Sequence, residues 1–128
     1  MALAGALGAL ARLGLGNWLT ARLPSDFPLS TLLINLIGSM LLGFVTGFGV
    51  ERGRLPEAWR LPLTVGFIGS FTTFSTWSVD TVLLLDAGDW VLALLNVALS
   101  LALGLGAVGL GHGLAHRVAD RRGQEGEF

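Results

Sequence analysis

Apolar residues fill four stretches of this chain, at about residues 2–23, 27–50, 61–85 and 90–115, with short polar breaks between them. Each stretch matches the ~20 residues a helix needs, at about 1.5 Å per residue, to cross roughly 30 Å of hydrocarbon. Pro24, Ser25, Asp26 and Pro28 mark the first break, residues 51–60 with Pro56 the second, and residues 86–89 the third. The pattern predicts an all-α membrane protein with four transmembrane helices over residues 1–116. A short charged tail, 117–128, is expected to fray. No basic segment precedes the first stretch and no small-residue cleavage site follows it, so it reads as a retained span.

Polar positions inside these stretches fall in lines. Residues 70–78 of the third stretch carry six hydroxyl side chains, beside an aromatic stripe of Phe67, Phe71, Phe74 and Trp77. In the second stretch Thr31, Asn35 and Ser39 recur at every fourth position, with Gly38, Gly43 and Gly47 allowing close helix approach. Asn96, Ser100 and Gly104 repeat that spacing in the fourth, where Gly109 and Gly113 form a small-xxx-small pair. Packing between helices accounts for any one such line, but three adjacent lines favour a continuous polar path. Arg12 lies near the middle of the first stretch, where it either snorkels or draws anions into a water-filled vestibule; the second reading is preferred. Asp80 is read as solvated or hydrogen-bonded between helices.

Composition strengthens the membrane reading: 52% of residues are apolar, 13% are charged and mean hydropathy is +0.70. A net charge of −1 without any lysine argues against a nucleic-acid partner, and the lack of cysteine excludes disulfides and thiolate chemistry. Arg52, Arg54, Arg60, Arg117, Arg121 and Arg122 fall on one side of a four-span chain and only Arg22 on the other, which puts both termini in the cytoplasm.

Two other patterns carry less. Gly104, Gly106 and Gly109 match G-x-G-x-x-G, but inside an apolar span, where helix packing explains them better than a dinucleotide. His112 and His116 have the spacing of two metal ligands without an intervening glutamate, and are read as groups favouring a helix C-terminus. No catalytic constellation emerges, so the chain is not expected to be an enzyme.

The run Gly66-Phe67-Ile68-Gly69-Ser70-Phe71-Thr72-Thr73-Phe74-Ser75-Thr76-Trp77-Ser78 resembles the G-F-x-G-G-x-T-T-F-S-T-F-S signature of the CrcB/Fluc fluoride-channel family. Gly8, Ala9 and Arg12, then Thr31, Asn35, Gly38 and Ser39, then Asn96 and Ser100 follow in family order. The resemblance implies a fluoride-selective channel of the cell (plasma or inner) membrane, exporting cytoplasmic fluoride by passive electrodiffusion. It further implies an antiparallel, dual-topology dimer with two pores, a third helix broken near its middle, and a structural sodium ion on the Gly69 and Thr72 carbonyls.

By the same resemblance Asn35 and Ser100 offer donors to fluoride, and Phe74 and Trp77 present ring edges. Trp77 stands where the family has phenylalanine, and its indole N–H is a candidate further donor. Ser70 replaces the family's second glycine, and Asp80 stands where glutamate is common. Ser75 and Thr76 match a hydroxyl track that either helps dehydrate the ion or makes packing bonds. The arginine bias leaves two partners open: a second copy of this chain, or a paralogue inserted in the opposite orientation. Two other functions compete. A small multidrug-type proton-coupled exporter needs a membrane-embedded carboxylate, which the first span lacks; a non-transporting assembly subunit would leave the Thr-Thr-Phe-Ser-Thr run unexplained.

Overall fold

The computed structural model describes residues 1–125, with side chains as far as Arg121, and every regular element among them is helical. Helix α1 covers Ala2–Arg22 and stops before Pro24; α2, Leu29–Val45, starts directly after Pro28. Wider π-helical turns, Thr46–Val50, prolong α2. Helix α3, Glu57–Leu61, follows Pro56 and runs through a second π-helical stretch, Pro62–Ile68, into the single turn α4, Gly69–Phe71. Thr72 and Thr73 are then extended, with ψ of 159° and 115°, before α5, Phe74–Asp86, begins. Gly88, at φ 83°, takes the left-handed conformation that ends α5. The last helix, α6, Trp90–Glu125, is 36 residues long.

Among the described residues two runs, Leu29–Val50 and Trp90–Arg121, are long and apolar enough to cross a bilayer by length and composition. Helix α6 continues past residue 115, so residues 117–125 extend it where fraying was expected; residues 126–128 and the Arg122 side chain lie outside the described residues.

Glycines set the distances between helices. A Cβ on Gly8 would collide with the Phe67 backbone, which fixes α1 against Pro62–Ile68. A Cβ on Gly43 would strike the Val108 carbonyl, and one on Gly111 the Met40 carbonyl, so α2 and α6 meet backbone to backbone. The sequence reading put the small-residue contact of α6 at Gly109 and Gly113, but both face open space. The buried stripe is Gly111, Ala115 and Ala119, two positions out of phase.

A small core joins Leu19, Ile34 and Phe71 from α1, α2 and α4. Large apolar residues elsewhere point outward, including Leu94, Leu101, Leu105 and Leu110 on α6. That is the distribution of a chain whose solvent is hydrocarbon.

Candidate functional site

The interruption between α4 and α5 is held open by a side chain from another helix. The Thr73 N–H, whose helical acceptor would be the Gly69 carbonyl, donates to Asn35 Oδ1 at 2.8 Å. Asn35 Nδ2 in turn donates to the Thr73 carbonyl at 3.0 Å. A carboxamide can satisfy both polar groups of one residue in this way, and the extended, β-branched Thr73 presents them together. The Thr73 hydroxyl also caps α5, accepting from the Thr76 N–H at 3.2 Å. Thr73→Val keeps the shape and loses the cap, so it is expected to cost about 1 kcal/mol, seen as a lower unfolding midpoint in detergent that Thr73→Ser restores.

A cleft of about 320 Å³ opens at this interruption. Asn35, Gly69, Thr72, Phe74, Trp77 and Ser100 all line it, together with Ser39, Thr64 and Thr73. Four elements thus bring six of the predicted site residues to one place. The first turn of α5 faces the cleft through Phe74 and Trp77, which adds the positive end of a helix. Phe74 is 77% exposed, and its ring lies 5.1 Å from that of Trp77. Ser100 Oγ is buried with no hydrogen-bond partner among the described residues, as is Asn96 Oδ1. Buried polar atoms are normally paired, so the Ser100 hydroxyl on the cleft is a group in want of one.

Other predicted residues stand apart. Ser75 and Thr76 are exposed and are not among those lining the cleft; their hydroxyls gather on Thr73 Oγ1 at 3.4 and 3.0 Å. Arg12 is half-buried on α1, away from the cleft lining. The Trp77 indole N–H, a candidate donor to an anion, is directed to the Asn96 carbonyl at 3.4 Å. One N–H of Asn35 is taken by Thr73, leaving the second of its two donors. Asp80 accepts from the Thr31 hydroxyl at 2.7 Å, the interhelical one of the two roles read for it.

The sequence reading missed the role of Thr73, which is both clamp and cap. It also missed Thr81, whose hydroxyl accepts from the wholly buried Asn96 amide at 2.9 Å.

The chain as a whole is similar to known proteins over most of its length. The pattern of the family described as "CrcB-like protein, Camphor Resistance (CrcB)" matches residues 1–112. A protein of Symbiobacterium thermophilum named "Fluoride-specific ion channel FluC 2" is 74% identical over 117 residues, 91% of this chain and 95% of that one. "Fluoride-specific ion channel FluC 1" of Bacillus cereus is 42% identical over 125 residues, covering 98% of this chain and 91% of the relative. "Fluoride-specific ion channel FluC" of Methylococcus capsulatus is 46% identical over 119 residues, 93% of this chain but only 52% of the longer relative. With the match running through every element that builds the cleft, the chain belongs to the CrcB-like family.

Proposed function

We propose that this chain is a fluoride-specific ion channel. The observation that carries the reading is the cleft at the α4–α5 interruption, where a carboxamide, an unpartnered buried hydroxyl and two aromatic rings meet, in a chain 74% identical to a relative of that name. Fluoride is small and strongly hydrated, so a selective path must replace its water with short-range donors. The second Asn35 N–H and the Ser100 hydroxyl supply them, and the rims of Phe74 and Trp77 are electropositive. Arg12, on α1 and away from the cleft lining, is assigned to drawing anions into a vestibule rather than to the cleft itself. No fuel is needed: fluoride enters cells as neutral HF, ionises at cytoplasmic pH and is trapped. An inside-negative membrane drives the anion outward with about 2.3 kcal/mol per 100 mV.

The assembly we favour has four spans per chain, with α4 and α5 as halves of one broken span, in a dual-topology dimer in the cell membrane. Interruption at Thr72 leaves carbonyls at the end of α4 without helical donors, and irregular backbone at membrane depth must be satisfied within protein. Those of Gly69 and Thr72, two from each chain, suit a hard cation such as sodium, which would supply fixed positive charge and tie the two copies together. Whether the partner is a second copy or an oppositely oriented paralogue follows from whether this chain conducts alone.

Liposomes containing only the purified chain, with a potassium gradient and valinomycin setting the potential, test the proposal. Rapid loss of fluoride with chloride retained is expected. Silence from well-folded protein, persisting after an oppositely oriented paralogue is added, would overturn the channel reading.

A further inference from the structure

Away from the cleft, two elements bring three metal-ligating side chains together. His112 and His116 lie one turn apart on α6, and Glu51 follows the π-helical end of α2. Glu51 Oε2 is 2.9 Å from His112 Nε2 and 3.6 Å from His116 Nε2. The three ligand atoms all lie within 4.8 Å of one another. A tetrahedral ion with bonds of about 2.0–2.1 Å sets its ligands roughly 3.3 Å apart, so this set closes around one ion with small side-chain adjustments. The sequence reading set the histidines aside for want of a glutamate between them; the fold supplies one from a position 61 residues before His112.

The arrangement is held by backbone. Gly47 packs on the ring of His112 and on Ala115, and the Gly111–Met40 contact fixes α6 against α2 just below. The donors are each less than half exposed, open to solvent on one side, which leaves room for water ligands. Two imidazoles and one carboxylate suit zinc and its neighbours over magnesium or calcium. We infer that Glu51, His112 and His116 form a binding site for a divalent transition-metal ion, which clamps the end of the α2 run to α6.

Arg52 opposes the ion. Its guanidinium donates to His116 Nδ1 at 2.8 Å while pairing with Asp120 at 3.0 Å. A neutral imidazole has one proton, so a metal on Nε2 places that proton on Nδ1 and turns Arg52 away from the ring, still paired with Asp120. Loss of Arg52 therefore favours the metal, whereas loss of any ligand removes it.

The test uses the full chain without a polyhistidine tag, stripped with chelator in detergent. Zinc titrated by calorimetry is expected to bind once per chain. Cobalt is expected to give the intense visible absorption of a four- or five-coordinate ion, unaffected by excess magnesium. E51Q, H112A and H116A each lose the binding and the cobalt signal, and R52A tightens binding. Unchanged metal-free fluoride efflux in the ligand variants shows that they fold; H116Q replaces H116A if it does not. Absence of zinc binding by the parent chain, or binding that survives H112A with H116A, overturns the site.

Discussion

Asn35→Ala is expected to lower fluoride efflux by roughly ten- to a hundredfold, with the chain still inserted in the membrane. The side chain satisfies both polar groups of Thr73. Alanine leaves a partly buried N–H and carbonyl unpaired, at about 1–3 kcal/mol for each group. The cheapest relief is for the Thr73 N–H to turn back to the Gly69 carbonyl, which mends the helix and withdraws both the α5 N-terminus and the freed carbonyls from the cleft. Asn35→Asp separates the two roles. It keeps an acceptor for the Thr73 N–H but sets a negative charge in the anion path, so it should melt closer to the parent chain than Asn35→Ala and conduct no better. Fluoride-electrode efflux read beside thermal unfolding in detergent decides; parent-like flux through Asn35→Ala would remove the cleft from the pathway.

That clamp marks the boundary of what the sequence could tell. Helical spacing put Asn35 on a polar line with Thr31 and Ser39, and the hydroxyl-rich run around Thr73 stood out in its apolar stretch. Their pairing did not, because the partner of Asn35 is backbone, and every non-proline residue offers the same N–H and carbonyl. Six of the expected residues converge on one cleft because their lines run along helices that pack side by side. Ser75 and Thr76 fall outside it because Thr73 draws their hydroxyls to the cap of α5. Glu51 meets the histidines only through the register of α2 on α6, and neither helix carries that register alone.

Glycine phase was the other ambiguity. Around residues 104–113 glycines alternate closely enough to offer small-residue stripes in more than one helical phase, and only packing selects between them. The fold buries Gly111 with Ala115 and Ala119, whereas a Cβ added at Gly104, Gly106, Gly109 or Gly113 would meet no other part of the chain within 4 Å.

Gly111→Ala should consequently be among the most damaging single-methyl additions in the chain. The new Cβ would meet the Met40 carbonyl and the Phe44 N, which are backbone atoms of α2 and cannot rotate aside. Overpacking of this kind costs about 1–3 kcal/mol, and with backbone on both sides the upper end is expected. Relief requires α6 to move off α2, which parts Ser100 from Asn35 and opens the cleft, so the unfolding midpoint and fluoride efflux should fall together. Gly43→Ala, aimed at the Val108 carbonyl from the other side, should do the same. Gly109→Ala is the contrasting substitution. Within one chain its methyl meets open space, and alanine is favoured over glycine in a helix by about 0.8–1.0 kcal/mol, so an uncovered face gains stability. If that face of α6 is where a second copy packs, the same methyl instead weakens the dimer, and size-exclusion chromatography with light scattering in detergent shows the chain shifting toward monomer, whereas Gly111→Ala lowers the unfolding midpoint.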